Sequence, residues 1–196
     1  WGEADFSEPT VLNLWRYRKK DARISEGRLK LLDLRKSDIG VKPRKTPGLS
    51  TTERQWLQVT KAKNKDQSPW IDALGLQREI SSWRFPLHFI DFETSTVALP
   101  FNKGRHPYEG IAFQFSHHTV DRKGSIIHAG EHLNTNRGLF PNYAFVRELK
   151  RQLEEDDGTI FRYAAHENTY LCLIHFQLRT DPAPPEDRDE LMTFIR

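Results

Sequence analysis

Leu87-His88-Phe89-Ile90-Asp91-Phe92-Glu93 is the stretch on which the fold turns. Five residues of strand-forming character end in two carboxylates, and alternation along a strand sends Asp91 and Glu93 to one face. With ~6.6 Å of rise between them, the two charges repel by roughly 2.5 kcal/mol at an effective dielectric of ~20. A bound cation, a neighbouring Arg or Lys, or a raised pKa on one acid would compensate. The expectation is the cation.

Downstream of this strand the pattern stays αβ. Pro100-Phe101-Asn102-Lys103-Gly104-Arg105-His106-Pro107 is a loop of turn formers and cations. Ile111–Val120 alternates as a second strand, Asp121–Gly124 reads as a hairpin turn, and Ser125–Leu133 as a third strand. Pro141–Glu155 is a helix with Tyr143, Phe145, Val146, Leu149 and Leu153 on one side. Gly158 ends it, Thr159–Ala165 is a fourth strand, and His166–Leu178 a second helix with Leu171, Ile174 and Leu178 inward. Asp181–Asp189 reads as a loop, and Leu191–Ile195 begins a further element. The order β-β-β-α-β-α predicts an α/β fold with the mixed sheet of a ribonuclease-H-like core, its fourth strand beside the first.

Upstream, residues 1–86 read as a mostly helical, basic segment distinct from a domain at 87–196. Ser7 is placed to cap a helix from Glu8-Pro9, with Val11, Leu14 and Trp15 on its apolar face. Ile24–Leu34 keeps a helical rhythm broken by Gly27. Gly40–Ser50 is a linker by composition. Ser50 with Glu53 makes a capping box for a helix to about Ala62. Ile71–Trp83 predicts an amphipathic helix burying Ile71, Leu74, Leu76, Ile80 and Trp83. Trp15, Trp56, Trp70 and Trp83 read as core or interface anchors rather than base-stacking platforms.

Charge follows the same division. Residues 1–86 hold 18 Lys and Arg against 11 Asp and Glu, a net +7; residues 87–196 hold 12 against 16, a net −4. This suits a polyanion held by one part and metal ions by the other, or an ordinary solvated surface. Cys172 is the only cysteine, so one chain offers neither a disulfide framework nor a cysteine-based zinc site, and a reducing, cytoplasmic setting fits. No long apolar run suggests a membrane span. The chain opens on Trp1 without a leader sequence, which reads as a piece of a longer protein.

A third acid, Glu167, falls where the fourth strand passes into the following helix. If that strand lies beside the first, Glu167 reaches toward Asp91 and Glu93. Three carboxylates together would be an oxygen-rich site suited to Mg²⁺ or Mn²⁺. Two such ions would activate a water and stabilise the leaving oxygen in phosphodiester hydrolysis. Glu167 also suits the first turn of any helix through the macrodipole.

Phe89-Ile90-Asp91-Phe92-Glu93-Thr94 resembles the first motif of the DEDD (DnaQ-like) exonucleases. Gly158–Leu171 resembles their second, with Glu167 where Asp is usual. Pro100-Phe101-Asn102-Lys103-Gly104, Pro107-Tyr108 and Phe113-Gln114-Phe115-Ser116 resemble a bacterial family that joins a RecB-like nuclease domain to a ribonuclease-H-like domain. The resemblance covers roughly 87–196. It implies a metal-dependent 3′→5′ exonuclease with Asp91, Glu93 and Glu167 as catalytic metal ligands, nucleic acid (DNA or RNA) as substrate and an upstream RecB-like domain as partner. Lys103, Arg105 and His106 are then candidate phosphate contacts; His166 either touches the scissile phosphate or packs and caps. The family's third motif is not recognisable after Glu167. His117–Asp121 has a similar spacing but precedes the second motif, on a strand and turn. The competing expectation is a catalytically degenerate module that binds nucleic acid or scaffolds a larger nuclease or defence complex.

Overall fold

Residues 10–17 fold as successive tight turns, not as the helix their apolar spacing predicts. The N–H groups of Asn13, Leu14 and Tyr17 donate to the carbonyls of Thr10, Val11 and Leu14, each three residues back. Val11, Leu14 and Tyr17 are all buried. A repeat of three therefore places the same residues inward that a helical face would, and Arg16 at φ +50° ends any helical path. The computed structural model, which describes residues 2–196, divides into two compact units, Trp1–Ser81 and Ser82–Arg196. No helix among the described residues is long and apolar enough to cross a membrane.

The first unit contains α1 (Lys20–Ser25), α2 (Lys36–Ile39), α3 (Thr51–Lys63) and all but the last residue of α4 (Ala73–Ser82). Its core gathers Val11, Leu14, Tyr17, Leu29, Leu31, Leu34, Ile39 and Val59. The expected capping box starts α3: the Glu53 N–H donates to Ser50 Oγ at 3.1 Å, and the Ser50 N–H to the Glu53 carboxylate at 2.8 Å. Asp38 accepts from Arg23 and Arg28 at 2.9 and 2.8 Å. Burial pushes its carboxyl up, but the Arg35 N–H and the two guanidinium groups outweigh that and hold it below the usual range. Arg23, Arg28, Lys30 and Lys61 are thus tied within the unit rather than offered to a polyanion. The predicted burial of the α4 face does not occur: Ile71, Leu74, Leu76 and Ile80 are exposed and belong to neither core cluster. Trp56 packs against the core, whereas Trp15 and Trp70 are exposed.

The second unit is α/β. Its four-stranded mixed sheet has the order β3-β2-β1-β4. β1 (Leu87–Thr96) is antiparallel to β2 (Gly110–Val120), and β2 to β3 (Ile126–Leu133). β4 (Thr159–Arg162) runs parallel to β1, beside it as its position in the order requires. α5 (Asn142–Leu153) makes the crossover to β4, and α6 (His166–Thr180) and α7 (Arg188–Ile195) follow. The stretch before α7 is the expected loop only as far as Asp187. Asp189 stands in the first turn of α7, and Arg147 holds Asp187 at 2.6 and 2.8 Å.

Alternation along β1 sorts the unit into two faces. His88, Ile90 and Phe92 are buried; Phe89, Asp91 and Glu93 are exposed. On β2, Phe115 and His117 oppose Phe92 and Ile90, and after a register shift Ala112 opposes Thr94. Phe113 is the extra residue of this bulge, so Thr94 keeps to the buried side. The core on that side joins Ile90, Phe92, Ala112 and Phe115 to Phe145, Val146 and Leu149 of α5 and Ile174 and Leu178 of α6. Burial of each large side chain contributes about 1.5–3 kcal/mol. The other face is open, and carries Phe89 stacked on Phe161 at 5.2 Å with the Trp83 ring edge-on to Phe161 at 4.9 Å.

Candidate functional site

Asp91 and Glu93 stand side by side on the open face of the central strand, both exposed. Neither side chain forms a hydrogen bond or ion pair with any described residue. Exposure also changes the electrostatics: toward the dielectric of water, ~80, their repulsion at ~6.6 Å falls to about 0.6 kcal/mol. The pair is therefore tolerated without a compensating charge, and the roughly 2.5 kcal/mol expected for a partly buried pair does not apply. What remains is a two-carboxylate site free to take a cation.

Glu167 behaves in the opposite way. It is 3% exposed, and its Oε2 is buried without a hydrogen-bond partner among the described residues. With Tyr170, Ile174, Gln177 and Leu178 it forms the buried stripe of α6, and α6 packs on the face of the sheet opposite Asp91 and Glu93. The start of α6 is nevertheless fixed to the end of β1: His166 Nε2 and Thr94 Oγ1 share a hydrogen bond at 3.0 Å, one residue beyond Glu93. The acids from the two segments thus flank the end of β1 from its two sides. The expected closed cluster of Asp91, Glu93 and Glu167 is not formed, and among the described residues no three His, Cys, Asp or Glu side chains are grouped to hold a metal ion. The physical reason is parity. Thr94 faces α6, so residues 91 and 93 face away from it.

The basic loop is also partly committed. Arg105 donates to Asp181 at 2.7 Å, lies 3.5 Å from Glu109, and covers the Phe140 ring at 3.5 Å. It is a strap between the loop and α5–α6, not a free phosphate contact. Tyr143 also donates to Asp181. Burial and that carboxylate push the Tyr143 hydroxyl up to about 12. Burial pushes the Asp181 carboxyl up too, but the Tyr143 hydroxyl, the Ala183 N–H and Arg105 outweigh it and hold it below the usual range. Beneath the loop, Asn142 accepts from the Ala112 N–H at 2.8 Å and donates to Gly110 O and Gln177. Lys103 and His106 remain exposed. His166 is engaged with Thr94 and tilted against Tyr170, which makes it a fastener of α6. His117 is buried, and Asp121 accepts from the N–H groups of Lys123 and Ser125 in the hairpin, so that spacing is structural.

Sequence reasoning missed the cleft beside these residues. A cavity of about 700 Å³ at the end of β1 is lined by Ser95, Phe101, Asn102, Phe113, Asn134 and Arg137. Ser95 shares the open face with Glu93. The segment 134–141 carries no motif, and only the loop composition of Asn134–Gly138 marks it.

Fold and site together define an α/β domain with an unpaired carboxylate pair on its open face. The family model described as Domain of unknown function (DUF2779) matches residues 88–195, more than half of the chain, and the chain belongs to that family. No curated protein and no solved structure matches it.

Proposed function

We propose that residues 87–196 are a ribonuclease-H-like, divalent-metal-dependent nuclease domain that hydrolyses phosphodiester bonds of DNA or RNA as a 3′→5′ exonuclease. The observation that carries this reading is the pair Asp91 and Glu93, exposed, unpaired and on one face of the central strand. Their all-oxygen donor set fits Mg²⁺ or Mn²⁺, and Mg²⁺ is commonly held by one or two carboxylates and completed by substrate phosphates and water. When bound, such an ion supplies a water of lowered pKa and neutralises charge on the phosphoryl oxygens. Glu167, the acid of the second segment, is buried on the other side of the sheet with its Oε2 unpartnered among the described residues, so the proposed cation rests on Asp91 and Glu93. The cleft at Ser95, Phe101, Asn102 and Arg137 takes the strand end, with the exposed Lys103 and His106 of the adjoining loop as further phosphate contacts. An upstream RecB-like nuclease domain of the same protein is the proposed partner, and the cytoplasm the proposed setting.

The test is cleavage of labelled single- and double-stranded DNA and RNA by the full chain with Mg²⁺ or Mn²⁺. Asp91→Asn is expected to cost ~100-fold or more, the scale seen when a group stabilising transition-state charge is removed. Absence of metal-dependent cleavage on every substrate overturns the reading. A second reading, a catalytically silent module that binds nucleic acid or scaffolds a larger complex, is favoured by one observation: Glu167 is not grouped with the other two acids. It predicts salt-sensitive binding that ignores both chelator and Asp91→Asn.

A further inference from the structure

At the other end of β1 a chain of buried polar groups runs through the sheet. His88 Nε2 is 2.9 Å from Asp156 Oδ1, His88 Nδ1 is 2.9 Å from His117 Nε2, and His117 Nδ1 is 3.0 Å from Gln152 Oε1. His88 and His117 are 2% and 3% exposed. The two ends of this chain are fixed acceptors. Asp156 Oδ1 already accepts from the Gly158 N–H at 2.7 Å, and burial, which pushes its carboxyl up, is outweighed by that N–H and by His88, so it stays ionised. Gln152 turns its amide N–H₂ to Glu148 Oε1 at 2.8 Å and to the Glu131 carbonyl. Glu148 is held below the usual range by Arg151, so it cannot donate, and the Gln152 oxygen must face His117.

Protons can then be counted. Asp156 needs an N–H from His88, Gln152 needs one from His117, and the contact between the rings needs a third. Two neutral imidazoles carry only two. We propose that the His88–His117 pair holds one extra proton, with His88 as an imidazolium against Asp156 and His117 as the neutral Nδ1–H tautomer, forming a pH-sensitive lock on the edge strand β4. Burial lowers the His117 pKa, which leaves the charge on the ring beside the carboxylate. Glu155 and His118 also act on His117, in opposite directions, and Glu148 reaches it only through Gln152.

What the lock holds is the turn between α5 and β4. Gly158 lies so close to β1 that a Cβ there would sit 2.1 Å from Pro86 O and 2.4 Å from His88 Nε2. β4 pairs with β1 through only four residues, Thr159–Arg162 against Leu87–Ile90, and it leads directly to the start of α6. Loss of the extra proton at high pH leaves two hydrogens for three contacts, so either the two ring nitrogens meet lone pair to lone pair or the Asp156 carboxylate faces a bare ring nitrogen. The pinned turn and β4 are then released before the rest of the sheet.

Nitrogen-15 NMR of the histidine rings in the full chain near neutral pH tests the count. Three ring protons over the pair, both on His88 and one on His117 Nδ1, are expected. Raising the pH should remove one of them and accelerate amide exchange at Ile160 and Phe161 more than at Phe115 and His117. Asp156→Asn, at a half-exposed side chain that spares the packing, should leave both rings neutral and abolish the pH response of β4. Two neutral rings in the native chain, or an unchanged proton count in Asp156→Asn, overturns the proposal.

Discussion

The two faces of β1 share one backbone and differ in everything else. His88, Ile90 and Phe92 look into a core closed by three helices; Phe89, Asp91 and Glu93, interleaved with them, look away from it. On the covered side most polar groups are bound into networks, Asn142 with Gln177, His88 with His117 and Arg105 with Asp181, and Glu167 Oε2 is an exception. On the open face the two carboxylates stand unpaired. A buried charge must be compensated by the protein itself, whereas an exposed one can wait for a ligand. The difference separates residues that build the unit from residues free to act.

Substitutions on each face sharpen the contrast. Phe145→Ala, which removes a fully buried ring meeting Phe92 and Phe115 edge-on, should destabilise the second unit by about 3–5 kcal/mol, read from denaturant unfolding. Arg105→Ala leaves the largely buried Asp181 without its cation and should cost about 3 kcal/mol while loosening the 97–110 loop in amide exchange. The folded Asp181 carboxyl titrates below its unfolded value. Its contribution is therefore present above about pH 4 and lost as the pH falls through the folded pKa, an acid sensitivity that Arg105→Ala should blunt. Phe89→Ala, on the open face, gives up one stacked ring at about 1 kcal/mol. Asp91→Asn should shift stability by no more than about 0.5 kcal/mol, as for an exposed residue with no partner. A large loss of stability there would erase the distinction between the faces.

Much of the second unit was legible in the sequence because period-two alternation and turn chemistry are local. β1 to β4 start within one residue of expectation, and the Asp121–Gly124 turn stands where its residues require. The Ser50–Glu53 box is local in the same sense. The failures lie where local signals are degenerate. Val11, Leu14 and Tyr17 satisfy a repeat of three as well as a helical face, and the chain takes the turns. Ile71, Leu74, Leu76 and Ile80 mark an amphipathic helix correctly, but nothing in their spacing says whether a core lies against it. For the site, parity placed Asp91 and Glu93 on one face. The side of the sheet taken by α6, and hence the side from which Glu167 approaches, depends on the crossover and on the Thr94–His166 contact, which no tripeptide encodes. Arg105 looked like a free cation because its partner Asp181 is 76 residues away.

The central claim is that the open-face carboxylates hold a divalent cation, and Mn²⁺ titration of the ¹⁵N-labelled chain tests it most directly. Paramagnetic broadening should appear first at Ile90–Thr94, compete with Mg²⁺, and vanish in Asp91→Asn. Broadening spread over surface acids such as Glu131, Glu154 and Glu155, unchanged by Asp91→Asn, would contradict it.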